Sequence, residues 1–246
     1  MFSQIGKYGK AYTFQPHIGQ NNFSLFKANG NSTTVSVLGM AVSATGTATA
    51  ANVAITNQYT MMKRISTVSS SIAGSSAGYR SAVAQYLIGS FGGFHFIGRF
   101  GFNDAAAVAQ ARSFIGITAT TTGLANANPS TYLNMIGVGN DSLDANLQIM
   151  FNGASGTATK VDLGSAFPAN SRGTDFYEAS IYCPPNSTSV YIQVTNLSTG
   201  ATISGTATIK IPSSATLLTW QTTRNNGTTA LAVTLDHESV YIETEY

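Results

Sequence analysis

Charge is scarce in this chain. Lys, Arg, Asp and Glu together make up 9% of its 246 residues, against about a quarter in an ordinary soluble domain. Few ionisable groups are available for acid–base chemistry. One cysteine, Cys183, excludes an internal disulfide framework and any thiolate-rich metal centre. A formal net charge of +2 supplies no basic stripe, so nucleic acid is not an expected partner. No apolar run reaches the ~18 residues of a membrane span, so membrane insertion is not expected either. The stretch Met1–Lys7 lacks the apolar segment of a secretory signal. No internal repeat of propeller or β-helix length is visible.

Ser and Thr take the place of charge, and Gly contributes 24 residues. Hydrophobic residues at 43% are enough for a real core, so disorder is not expected. Thr and Val favour a pleated, half-buried surface. Leu147, Ile149 and Phe151 alternate with Asn146, Gln148 and Met150, and Val190, Ile192 and Val194 alternate again. This period of two is burial on one strand face. Asn152-Gly153 reads as a hairpin turn, with Val161 and Leu163 on the return strand. The one good helix candidate is Asp104–Ala111, Ala-rich, with Asp104 as N-cap. Short strands with turn chemistry between them predict an all-β antiparallel sandwich or jelly roll. The Ser/Gly/Ala stretch 69–78 is a domain boundary or a long loop. We expect a β-rich N-terminal attachment and oligomerisation region over 1–84 and the sandwich proper over 85–246.

The second half carries a resemblance. Its stretches are Gly93-Phe94-His95-Phe96 with Arg99-Phe100-Gly101, Ala111–Gly116, Pro129-Ser130-Thr131, Ile136–Gly139 with Leu147-Gln148-Ile149, Gly156–Gly164, Pro184-Pro185-Asn186, Thr228–Val233 and Tyr241–Thr244. Over about residues 65–246 the chain resembles a C-terminal domain of tailed-bacteriophage virion structural and tail fibre proteins. That resemblance implies a lectin-like sandwich, a homotrimer and a place on the virion surface after assembly in the host cytoplasm. It brings no catalytic motif. A surface-type composition without a secretion signal agrees with a particle released by lysis.

Candidate sites are weighed residue by residue. Asp141 and Asp144, three apart in a loop with Asn140 and Asn146 nearby, offer oxygen ligands to Ca²⁺ without the EF-hand spacing. The alternative is Asx-turn capping, and no other cofactor is expected. For glycan binding, which needs an aromatic face and directed hydrogen bonds, the candidates are Trp220, Tyr132, Asn225 and Asn226. The alternative for Trp220 is a core position. A glycan depolymerase needs two carboxylates facing a cleft. Asp175 with Glu178 and Glu243 with Glu245 are the pairs available, and neither is persuasive. His17, His95 and His237 fall in no recognisable nucleophile motif, and no Gly-x-Ser-x-Gly elbow occurs.

The expected activity is therefore non-enzymatic: a short tail fibre or receptor-binding adhesin contacting host surface polysaccharide. The other reading is a head fibre or capsid decoration protein, with a depolymerase a distant third. Expected partners are two further copies of the chain and other virion proteins of tail, baseplate or capsid. The Thr/Ala run 44–51 is a candidate intersubunit strand, since interface cores are poor in charge. The aromatic N-terminal arm, with Phe2, Tyr8, Tyr12, Phe14, Phe23 and Phe26, is a candidate docking segment.

Overall fold

Alternating side chains sort the strands into two stacked antiparallel sheets. The computed structural model describes residues 22–89, 92–123 and 125–244. Its first strands are β1 (Asn22–Ala28), β2 (Val35–Leu38), β3 (Val42–Thr45) and β4 (Thr47–Ala51). One helical turn, α1 (Gln58–Met61), precedes β5 (Arg64–Val68), β6 (Ser76–Ser81), β7 (Phe94–Phe102) and β8 (Arg112–Thr118). Then come β9 (Met135–Asn140), β10 (Gln148–Asn152), β11 (Thr159–Asp162) and β12 (Phe176–Cys183). The chain continues through β13 (Val190–Asn196), β14 (Thr202–Ala207), β15 (Thr219–Asn225) and β16 (Thr234–Thr244).

Among the described residues one sheet has nine strands, in the order β14-β13-β12-β7-β16-β1-β2, with β5 and then β4 beside the first part of β16. The other has seven, in the order β11-β10-β9-β8-β15-β6-β3. Phe94, Phe96, Phe100 and Phe102 of β7 point inward and meet Ile115 and Ile117 of β8, Trp220 of β15 and Tyr79 of β6 in one core. Burial of this apolar surface is the main stabilising term. The all-β antiparallel sandwich expected from strand periodicity is the architecture found.

Residues 22–84, expected to form a region distinct from the 85–246 sandwich, supply β1–β6 to both sheets. The Thr/Ala run 44–51 is not one strand. Gly46, at φ +84, where a Cβ would fall 2.6 Å from the Val68 carbonyl oxygen, turns the chain from β3 in one sheet to β4 in the other. A side chain there would meet backbone, which explains the glycine.

Asp104–Ala111 is not helical. Asp104, expected as an N-cap, accepts instead from Arg224 and from the Thr234 N–H at 2.7 Å. Val108 and Ala111 are buried against Val233. Tertiary contacts thus override a local helix preference. The helical turn lies at α1, where Asn57 and Thr60 form a reciprocal cap. β10 and β11 form the hairpin expected after Asn152, through a longer connection than a two-residue turn.

Candidate functional site

The outward face of the nine-stranded sheet gathers aromatic and polar side chains in rows across the strands. Strand pairing sets Tyr191, Tyr182, His95, Glu243 and Phe23 side by side on β13, β12, β7, β16 and β1. Two residues along, Gln193, Ser180, Ile97, Tyr241 and Leu25 form a second row. The third is Thr195, Glu178, Arg99, Ser239 and Lys27. These residues face outward because their neighbours Ile181, Ile192, Phe96 and Ile242 fill the core.

The aromatic rings pair at the two ends of the face. Tyr182 and Tyr191 stack at 6.4 Å and 27°, and Phe23 and Tyr241 stack at 6.1 Å and 24°. Tyr191 and Phe23 are each 49% exposed. Between the pairs lies His95, edge-on to Tyr182. Its Nε2 is 2.9 Å from Ser180 Oγ and its Nδ1 is 3.3 Å from Glu243 Oε1. A carboxylate only accepts, so in this contact Nδ1 is the donor. Tyr241 donates to Glu243 Oε2 at 3.0 Å. Burial, then the Glu243 charge and hydrogen bond, push its phenol up to about 12.

The charged groups of the third row are paired with one another and with Glu238. Arg99 Nε is 2.7 Å from Glu178 and its Nη1 3.7 Å from Glu238, while Lys27 Nζ is 2.9 Å from Glu238. A register shift between His237 and Ser239 bulges Glu238 out of the ladder and turns Ser239 outward. At one end of this face Tyr59 of α1 packs against Gly101 and meets the Phe176 ring at 5.1 Å.

The residues expected from the sequence lie elsewhere. Trp220 is 0% exposed and packs near Phe26, with ring centroids 6.0 Å apart, so it offers no face to a ligand. Asn225 and Asn226 are buried at the far end of β15. Asn225 donates to Gly74 O and Ser76 Oγ, and Asn226 to Ile72 O and Leu231 O. Their amides tie loops together. Tyr132 is half-buried; its hydroxyl donates to the Ala125 and Ala127 carbonyls at 3.1 Å. Burial pushes its pKa up to about 12.

Tyr132, Asp141 and Asp144 do share a corner on the outer side of the seven-stranded sheet. Ser130 N–H donates to Asp141 Oδ1, and Asp141 N–H to Asp144 Oδ2. Lys160 Nζ lies 3.0 Å from Asp141 Oδ2 and 2.5 Å from Asp144 Oδ2. An ammonium therefore holds the position expected for Ca²⁺. Among the described residues no three His, Cys, Asp or Glu cluster as a metal site.

Asp175 and Glu178 do not face one cleft. Asp175 is buried and accepts from Asn196 at 2.9 Å, whereas Glu178 faces outward to Arg99. Glu245, His17 and the arm residues Phe2, Tyr8, Tyr12 and Phe14 lie outside the described residues. His237 is a core residue between Thr67 and Thr222. From the alternation, His95 is expected to point away from Phe94 and Phe96 on a half-exposed strand; it does point away from them, but it is buried at 9% exposure, and the sequence reading missed Tyr182, Tyr191, Ser180 and Gln193. For Tyr191 and Gln193 the signal was the other half of the alternation of Val190, Ile192 and Val194.

No family model matches the chain. No curated protein matches it. Solved structures do match in fold. A protein of unknown function from Shewanella oneidensis MR-1 aligns with TM-score 0.59 and 16% identity, over 89% of this chain and 84% of that one. Peanut lectin, solved with a nine-residue peptide, aligns with TM-score 0.57 and 14% identity, over 91% and 97%. Lectin UEA-II complexed with galactose aligns with TM-score 0.57 and 14% identity, over 93% and 100%. At these identities the likeness is one of fold: the chain is a lectin-like β-sandwich.

Proposed function

We propose that this protein binds carbohydrate without turning it over, and that the ligand rests on the outward face of the nine-stranded sheet. The observation that carries this reading is the pair of stacked aromatic tables, Tyr182–Tyr191 and Phe23–Tyr241, flanking the polar group His95, Glu243 and Ser180. Sugars present apolar C–H faces to rings and hydroxyls to amides, carboxylates and imidazoles, which is the chemistry assembled here. The fold shared with a lectin solved with galactose supports the same reading. The sequence resemblance over about residues 65–246 supports a virion setting, a homotrimer, and the role of short tail fibre or adhesin on host surface glycans. The test is a glycan-binding assay with purified protein, repeated with Tyr191→Ala/Tyr241→Ala, alongside competition with virus for host cells. Binding and competition that both fall in the variant support the reading. Glycan binding without competition points to the head fibre or decoration role, and no glycan binding overturns it.

One observation favours a second reading. The contacts of 2.9 Å from Ser180 to His95 and 3.3 Å from His95 to Glu243 follow the order of an acyl-transfer triad. Ser180, however, sits within a strand paired on both sides, so nearby N–H groups serve the ladder and not an oxyanion. Labelling by a fluorophosphonate that disappears in Ser180→Ala would make this second reading the better one.

A further inference from the structure

Resting on the homotrimer reading, we infer that the copies of this chain meet on one flank of the sandwich, where β2, β3 and β4 end the two sheets. Backbone pairing locates that flank. β7 takes one side of β16 along its length, and β1 and β5 share the other. β2 lies beyond β1 and β4 beyond β5, so together they form this edge of the nine-stranded sheet. Only Gly46 separates β4 from β3, which ends the seven-stranded sheet. Both sheets therefore stop on the same flank. Among the described residues none of the three strands has a neighbour on its far side. An open edge offers N–H and C=O groups to another chain, and natural sheets guard it with lysine, proline or a bulge. β2, β3 and β4 carry no charge and no proline, and their registers run without a shift. On the opposite flank the seven-stranded sheet ends in β11, which carries Lys160 and Asp162.

Charge names the occupant. No Asp, Glu, Lys, Arg or His occurs from residue 28 to residue 62. Most of that segment is open to solvent, and its side chains Val37, Leu38, Val53 and Ile55 are 43%, 55%, 41% and 94% exposed. A partner recognised by its charge has nothing to grip here, and its own charges would lose water without gaining a counter-ion. A second copy of the chain meets the requirement. Copies related by a symmetry axis bring the same residues together beside it, so a charge there would face its own kind. A flank free of charge is therefore suited to contact with itself, and interface cores are poor in charge for the same reason. Around a threefold axis each flank covers the next.

The experiment is size exclusion with light scattering on the full chain and on Leu38→Lys, Ala50→Lys and Thr206→Lys. The first two lie on β2 and β4, and the third on β14 at the other end of the nine-stranded sheet. All three side chains are exposed, so each lysine fits a single chain, which far-UV circular dichroism will check. Expected at micromolar concentration is three times the 25.7 kDa chain mass for the natural protein and for Thr206→Lys. Leu38→Lys and Ala50→Lys should run as single chains, their association weakened about a hundredfold or more by like charges at the contact. Amide exchange in the natural protein reads the same surface without a variant. Residues 35–38, 42–45 and 47–51 should exchange about tenfold more slowly in the assembly than after dilution to single chains. A trimer that persists in both flank variants overturns the inference and leaves the trimer standing. So does a trimer that Thr206→Lys alone disrupts, or exchange at these strands that dilution leaves unchanged. A single chain at every concentration overturns the homotrimer reading itself.

Discussion

The Lys160 ammonium contacts both carboxylate oxygens of Asp144, at 2.7 Å and 2.5 Å, and reaches Asp141 as well. Burial works to lower the Lys160 pKa, but the hydrogen bonds and charges of Asp144 and Asp141 outweigh it and hold it above the usual range. The loop acids already have a counter-ion tethered to the chain. We predict that Ca²⁺ and EDTA leave the thermal melt of the natural protein unmoved. Lys160→Ala should lower stability by about 1 kcal/mol or less, as for a partly exposed pair, and should gain a rise in melting temperature with millimolar Ca²⁺. A Ca²⁺ response in the natural protein would contradict this account.

His237 gives the fold an acid limit. Burial pushes its pKa down to about 3, against ~6.5 in an unfolded chain. Between those values the unfolded state binds a proton that the folded state refuses. Stability from this group therefore falls as pH drops through that window, by at most ~1.4 kcal/mol per pH unit. Neighbouring Asp236 acts in the opposite sense over its own window: burial raises its pKa, so its ionisation as pH rises above 3.8 costs stability. Urea unfolding across this range should show a slope that His237→Gln flattens below pH ~6.5. An unchanged slope in the variant would remove His237 as its source.

Arg224 and Asp104 form a fully buried pair, with Nη2 2.5 Å from Oδ2. The guanidinium carbon also lies 4.2 Å from the Phe102 ring centroid. Asp104 further accepts the Thr234 N–H at the start of β16. Removing one member leaves a buried charge without its partner, so Asp104→Ala should cost about 3–5 kcal/mol in denaturant unfolding. A loss under 1 kcal/mol would show that water or a rearranged Asn170, which also accepts from Arg224, replaces the carboxylate.

Trp220 and Tyr191 should separate stability from binding. Trp220→Ala empties a core site and should cost about 3–5 kcal/mol, while glycan affinity measured below the lowered melting point stays within about twofold. Tyr191→Ala should do the reverse. Lost binding in a folded Trp220 variant would return the site to β15.

Much of the fold was readable in one dimension because each strand reports its own buried face. Ile149 and Phe151, or Val190, Ile192 and Val194, needed no partner to be recognised as inward. The helix expected over Asp104–Ala111 failed for the opposite reason: Arg224, 120 residues away, claims the capping carboxylate. Exposure of aromatic residues was equally non-local. The sequence left Trp220, beside a polar loop, open between a ligand face and a core position; Phe26 and Tyr79 come from β1 and β6 to enclose it, so it is core.

The composition and the period-two alternation were sufficient for a charge-poor antiparallel sandwich, because those properties depend on each residue and its near neighbours. Which strands lie side by side depends on contacts between residues far apart in sequence, as in Phe23 beside Glu243, 220 positions away, and only the folded chain supplies them. The row from Tyr191 to Phe23 exists for that reason alone. Its five residues come from five strands and share no sequence motif; hydrogen bonding between neighbouring backbones brings them onto one face.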